Sequence, residues 1–374
     1  MSRALALLLA TLALAPRLTE EEARGKAIYI RGERATAVMG DEGVEVPATV
    51  VPCASCHGYD GRGRAEGGVR PSNLRWDVLT KPYEVPGERQ HPPYTRATIK
   101  RAITMGVDPA GNKLQTVMPR YRMADADLDD LLAYLEKLPS DADPGLTAEA
   151  IRIGVLLPPN GRAAATRALL EAYVSRLNRG GGIFGRKLEL AFSATIPADE
   201  PFALVAASLI GVEEEVETLA ERHQLPLLAT IATGAPRGRY SFHLLAGLED
   251  QVRALREFNP ALVPIPGTAT AKLADGRLAM AIPALPSDAA PPAIAELRSL
   301  GGDPAAGPTV NGTLASMKLI VEALRRAGRD VSREKLVETL EGFHEVDTGL
   351  VPRVTFGPNR HTGVTTAHVV VIEE

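Results

Sequence analysis

Apolar residues follow different periods in the two halves of the chain. Ahead of residue 139 the repeating pattern is helical. Leu18-Thr19-Glu20-Glu21-Glu22 reads as a helix start, because Thr19 as N-cap and Glu22 three residues on form a capping box. That helix runs on through Gly25, Ile28 and Tyr29. Ile99, Ala102 and Ile103 share one side of a helix over residues 95–105, and Leu128, Leu131, Leu132 and Leu135 one side of a helix over 125–138. Between them, residues 58–94 are rich in Gly, Pro and Arg and poor in large aliphatic side chains. A domain so lean in its middle needs something else to fill its core.

After residue 150 the pattern alternates. Short apolar runs at 151–157, 187–192, 202–207 and 225–231 read as strands, and helical patterns cover 163–179, 212–223, 248–258, 293–300, 314–327 and 333–340. Strand followed by helix, repeated, predicts an α/β domain built on a mainly parallel sheet. Pro139-Ser140-Asp141-Ala142-Asp143-Pro144-Gly145 separates the two patterns with turn residues. The expected organisation is an export signal over 1–17, a first domain over 18–139, a linker over 140–149 and a second domain over 150–374.

The signal rests on Met1-Ser2-Arg3, a short basic start, and the apolar run from Ala4 to Ala15. That run is too short for a bilayer core, which takes about 20 residues, and suits the hydrophobic region of a cleaved leader. Ala13-Leu14-Ala15 has the small-x-small form of a cleavage site, although Pro16 directly after it disfavours a cut there. No later stretch is apolar enough to span a membrane, so the mature chain is expected in the periplasm. A net charge of −4 with no basic run excludes a nucleic-acid or anionic-membrane binder. At 4% aromatic residues there is little material for stacking platforms.

The chain has two cysteines, too few for a disulfide framework, and both fall in Cys53-Ala54-Ser55-Cys56-His57. C-x-x-C-H is the haem c attachment pattern. Two thiols spaced to reach one edge of a porphyrin add to its vinyl groups, and the next residue, His57, turns its imidazole to the iron. A thioredoxin-like C-x-x-C would open a helix, whereas Gly58-Tyr59-Asp60-Gly61-Arg62-Gly63 breaks one at once. A zinc site would need further ligands that no other cysteine supplies. One covalent haem is the cofactor expected. Its sixth iron ligand is Met118, in the loop Met118-Pro119-Arg120-Tyr121 ahead of the last helix, with His91 and Met123 as alternatives. Met123 directly precedes a helix start, where an apolar residue staples the entry, and Met105 lies in a helical pattern and is expected in the core.

Residues 18–139 therefore resemble a class I c-type cytochrome. The order is a first helix with Gly25 and Tyr29, then the haem motif, then Met118-Pro119, then Leu131-Leu132-Ala133-Tyr134-Leu135. The resemblance implies an all-α domain in which Gly25 and Tyr134 sit where the first and last helices cross. It also implies that Pro71 offers its carbonyl to the second ring nitrogen of His57. A long insert between the first helix and the haem motif, 33–52, departs from the family and is expected to form a surface loop or hairpin.

Residues 150–374 resemble the type I periplasmic binding proteins, especially the branched-chain amino acid receptors of ABC transporters. The resemblance is carried by Ile151-Arg152-Ile153-Gly154-Val155, by the helix exit and strand from Leu177 to Leu190, and by the closing turn from Thr355 to Gly363. It implies ligand-binding hydroxyls at strand ends, here Ser208, Thr233 and, less well placed, Thr230. The region is short for that family after Phe258, which implies a reduced second lobe. The five histidines from His223 onwards are too scattered to read as metal ligands.

Together these readings describe a periplasmic electron carrier, not an enzyme, that serves a dehydrogenase or another cytochrome and carries an appended domain for docking or small-molecule sensing. The alternative is a solute receptor for amino acids with an accessory cytochrome domain. An enzymatic reading would need an open iron site.

Overall fold

The computed structural model describes residues 18–372 apart from 41, 64–70, 85–88, 142, 159–160 and 197–199. The expected export signal lies outside the described residues. The chain divides into two compact units, Leu14–Ala142 and Asp143–Glu374, and each is described by itself.

The N-terminal unit runs α1 (Glu20–Arg31), β1 (Thr36–Met39), β2 (Val44–Pro47), α2 (Cys53–His57), α3 (Trp76–Leu79), α4 (Arg96–Met105), β3 (Arg120–Arg122) and α5 (Asp125–Lys137). The capping box opens α1 as its sequence requires: the Glu22 amide donates to Thr19 Oγ1 at 3.2 Å and the Thr19 amide to the Glu22 carboxylate at 2.7 Å. Helices α1 and α5 cross at Gly25, where an added Cβ would lie 2.0 Å from the Asp130 carbonyl oxygen and 2.8 Å from Tyr134 Cβ. Only a residue without a side chain lets the backbones come this close. Around the crossing, Arg24 grips Asp130 with two nitrogens at 2.6 and 2.9 Å, and Tyr29 and Tyr134 pack with ring centroids 5.7 Å apart. Buried Lys26 pairs with Asp141 at 2.8 Å and ties the chain after α5 back to α1.

The unit is not all-α. The insert folds as the hairpin β1–β2, and β3 adds to its other edge to give an antiparallel sheet in the order β2-β1-β3. In β3, Arg120-Tyr121-Arg122, Tyr121 drives its ring into the core while Arg122 faces outward. Met105, expected in the core, closes α4 with its side chain 67% exposed.

The C-terminal unit begins β4 (Ala150–Leu156), α6 (Ala163–Arg179), β5 (Lys187–Ser193), β6 (Ala203–Ala206), α7 (Glu213–Arg222), β7 (Leu227–Ala229), β8 (Ser241–His243) and α8 (Leu248–Phe258). It continues β9 (Thr270–Lys272), β10 (Leu278–Ile282), α9 (Pro291–Ser299), α10 (Pro308–Ala327), α11 (Arg333–Glu341) and β11 (His368–Ile372). Strands β4 to β8 form one parallel sheet in the order β5-β4-β6-β7-β8. Its central strands are apolar on both faces, as a sheet covered on both sides demands. Ala203 and Val205 join the core with α6, α10 and α11, while Leu204 and Ala206 join the one with α7.

A second, antiparallel sheet, β11-β10-β9, was not legible in the sequence. It packs Ala271, Ala279 and Ala281 against Leu255 of α8 in a small separate core. Of the residues read as a linker, Asp143 accepts from the Arg333 amide at 2.8 Å and Gly145 from the Arg152 amide at 2.7 Å, so both belong to this unit. No helix among the described residues is long and apolar enough to cross a membrane.

The helix crossing gives a direct test. Gly25→Ala should destabilise the N-terminal unit by about 1–3 kcal/mol, the usual cost of overpacking. The single tryptophan, Trp76, lies in that unit, so its fluorescence during urea unfolding reads the change. An unchanged midpoint would show that the helices have slack at this point.

Candidate haem c site and strand-end cleft

Pro52 precedes α2 in an extended conformation and Gly58 ends it at φ 76°, so the motif folds as little more than one helical turn. Cys53 and Cys56, three apart, share a face of that turn, and His57 follows at its end. Two buried tyrosines fix the turn at both ends. Tyr29 of α1 donates to the Gly58 carbonyl and Tyr121 of β3 donates to the Val51 carbonyl, each at 2.7 Å. Burial pushes both phenol pKa values up, with Cys53 adding in each case, so both remain protonated donors.

His57 is buried, and its Nδ1 lies 2.8 Å from the Ser72 carbonyl oxygen. A carbonyl only accepts, so Nδ1 carries the proton and the lone pair sits on Nε2. Burial pulls the imidazole pKa down and outweighs the opposing pull of Ser72, which keeps the ring neutral. Pro71, expected to make this contact, does not. Its carbonyl packs instead on Gly63, where a Cβ would come within 2.4 Å, and the chain presents the next carbonyl to the imidazole.

Neither cysteine is part of a disulfide. Burial, with a smaller contribution from Cys56, pushes the Cys53 thiol up to about 12. Such a thiol is unlike the acidic thiolates of redox C-x-x-C pairs. No group of three or more His, Cys, Asp or Glu among the described residues could hold a metal ion by itself. Two thiols and a neutral imidazole on one turn, with Nε2 free of any hydrogen bond among the described residues, fit a covalently attached haem.

Met118 is half-buried on the loop between α4 and β3. Its amide donates to the Gln115 carbonyl at 3.2 Å and its own carbonyl accepts from the Arg120 guanidinium. His91 is otherwise engaged: its ring lies between Tyr83 and Tyr94, with centroids 5.6 and 4.8 Å away, and its Nδ1 is 2.8 Å from the Pro92 carbonyl. Met123 packs on the core beside α5.

In the C-terminal unit the three candidate hydroxyls part company. Thr230 is fully buried, and its Oγ1 lies 3.0 Å from Ser316 Oγ and 3.4 Å from Thr313 Oγ1, so its hydroxyl joins β7 to α10 rather than facing a ligand. Ser208 Oγ accepts from the Ile210 amide at 3.3 Å in a local turn. Thr233 is exposed and lines a cleft at the ends of β7 and β8 with Gly247, Asp250, Arg360, His361 and Thr362. A residue that the sequence did not single out, Glu213, joins the two strand-end loops: its carboxylate accepts from the Gly211 amide at 2.7 Å and the Thr233 amide at 3.0 Å. Four of the scattered histidines each meet a carboxylate: His223 with Glu200, His243 with Glu217, His361 with Glu341 and His368 with Asp288.

Residues 42–139 match the cytochrome c family, so the N-terminal unit carries a cytochrome c domain, and that family implies covalently bound haem c. No curated protein matches the chain. Among solved structures, the chain is similar to a fatty acid ABC transporter substrate-binding protein from Thermomonospora curvata, at 13% identity and a TM-score of 0.49 over 63% of this chain and 91% of that one. A leucine-binding protein from Thermotoga maritima is similar at 12% identity and a TM-score of 0.42, over 60% and 99%. A substrate-binding periplasmic protein from Ralstonia solanacearum is similar at 17% identity and a TM-score of 0.44, over 60% and 100%.

Burial would raise the Glu213 pKa, but the Thr233 amide, the residue's own amide, the Thr233 hydroxyl and the Gly211 amide together outweigh it and hold the carboxyl below its ordinary range. A depressed carboxyl contributes stability above its unfolded pKa, about 4.3, and loses it as the pH falls through the lower folded value. Glu213→Gln should therefore cost about 1 kcal/mol near neutral pH, the weight of a helix cap. The difference from the parent should shrink once the pH drops below that range, as read by urea unfolding at several pH values. A gap that persists in acid would mean that the charge is not what holds the loops.

Proposed function

We propose that the protein is an exported electron carrier. Cys53 and Cys56 of its N-terminal unit would anchor one haem c covalently, and His57 and Met118 would hold its iron. The carrying observation is the neutral, buried His57 imidazole, fixed by Ser72 with its Nε2 lone pair free, on the same turn as two thiols. When bound, haem c supplies one-electron ferric–ferrous chemistry.

The residues of this chain do the rest. Ser72 sets the tautomer of His57 and raises the basicity of its ligating nitrogen. Tyr29 and Tyr121 keep the turn in place. The engaged ring of His91 and the core packing of Met123 favour Met118 as the sixth ligand. A neutral thioether stabilises ferrous iron and raises the potential. With His57 and Met118 both holding the iron, the module would pass electrons rather than bind a substrate there.

The chain works in the periplasm in this reading, after removal of residues 1–17, and exchanges electrons with a dehydrogenase or another cytochrome. The C-terminal unit provides a docking or sensing surface. Helix α8 and the small antiparallel sheet are what remains of a second lobe, and the cleft lined by Thr233 is where a small molecule would enter.

The test is the optical spectrum of the full chain matured with haem. The oxidised protein should show the weak far-red band of a methionine–iron bond. Met118→Ala should lose that band and lower the reduction potential, while Met123→Ala and His91→Ala keep both. A band that survives Met118→Ala would overturn the ligand assignment.

A further inference from the structure

We infer that Arg120 is the positioning residue for the Met118 ligand loop, holding it against opening. This rests on Met118 being the sixth ligand. The Arg120 guanidinium donates to the Met118 carbonyl and, at 3.0 Å, to the Leu114 carbonyl, with the Gln115 carbonyl 3.5 Å away. One planar cation thus spans the segment that ends on Met118, which a lysine ammonium would not do with the same fixed fork.

The guanidinium is itself confined. It lies against Gly106, the residue that ends α4 at φ 67°, where an added Cβ would fall 1.9 Å from Nε and 2.1 Å from Cζ. The absence of a side chain at Gly106 is what leaves room for it. Behind Arg120, β3 is paired to β1, with Arg120 opposite Val38 and Tyr121 opposite Ala37. Tyr121 in turn bonds the Val51 carbonyl just ahead of the haem motif.

The loop also returns on itself. The Leu114 amide donates to the Gly106 carbonyl at 2.8 Å, and buried Asp108 accepts from the Ala110 and Asn112 amides at 2.9 and 2.8 Å. The segment from Gly106 to Leu114 is thus held in large part by its own backbone and by Asp108. Among the described residues, the stretch from Gln115 to Met118 makes one backbone bond, from the Met118 amide to the Gln115 carbonyl, and its other hydrogen bonds come from Arg120. Removing the guanidinium frees the segment that carries Met118, whereas the segment before it loses only the bond at the Leu114 carbonyl.

The experiment uses the full haem-loaded chain and free imidazole, which competes with a methionine for ferric iron. Arg120→Gln should raise imidazole affinity about 10- to 100-fold, the weight of one hydrogen bond from a charged donor. Arg120→Lys should fall between it and the parent. Arg122→Gln, which removes a neighbouring arginine paired with Glu45, should leave the affinity unchanged. A merely structural role would lower the urea midpoint without moving imidazole affinity. Should Arg120→Gln fail to mature, Gly106→Ala displaces the same guanidinium and should give the same rise. Parent-like affinity in the Arg120 variants, or in Arg120→Lys and Gly106→Ala together, overturns the inference. Met118→Ala separates the two levels. If it loses the methionine band while the Arg120 variants bind imidazole like the parent, only the role of Arg120 fails. If it keeps the band, the ligand assignment fails and this inference with it.

Discussion

A carbonyl can hold an imidazole in one way only, by taking the proton of the nitrogen that faces it. At His57 that nitrogen is Nδ1 and the carbonyl is that of Ser72, 2.8 Å away. The lone pair is thereby placed on Nε2, and burial keeps the ring from taking a second proton. The proposed ligation by His57 rests on this contact. Around it the fold supplies rigidity: two buried tyrosine hydroxyls hold the ends of the turn that carries both thiols, one from the first helix and one from the last strand of the hairpin sheet.

The hairpin gives that arrangement its second half. As an insert between the first helix and the haem motif it reads as decoration, yet its outer edge is where β3 pairs. β3 starts two residues after Met118, so the insert anchors the exit of the loop that carries Met118. It also brings Tyr121 back to the chain just before Cys53. Both sides of the site are thus fixed to one small sheet, and the Gly25 crossing sets the helices against which the unit packs.

The parts of this design that rest on local chemistry were legible in the sequence. The capping box at Thr19 and Glu22, the span of α6 and of α8, and the thiol–thiol–imidazole spacing all follow from neighbours a few residues apart. What depended on the path of the chain was not. Whether Pro71 or Ser72 turns its carbonyl to His57 is decided by how the backbone crosses Gly63, and no side chain announces it. Thr230 looks like an available hydroxyl until α10 is folded over it. β9 and β10 bury alanines, which carry no strand preference, and β8 is only three residues long. Met105 ends α4, where a helical pattern continues on paper but the neighbouring core does not.

In the proposed electron carrier, His57 and Met118 would leave no vacant position at the iron. The measurement that reaches this claim most directly is carbon monoxide binding to the reduced, haem-loaded full chain, followed optically beside a reversible redox titration. The account predicts one reversible one-electron step and no prompt spectral change on adding carbon monoxide. Rapid, saturable uptake of carbon monoxide by the intact reduced protein would contradict it, since that requires an open coordination position and with it a function other than electron transfer alone.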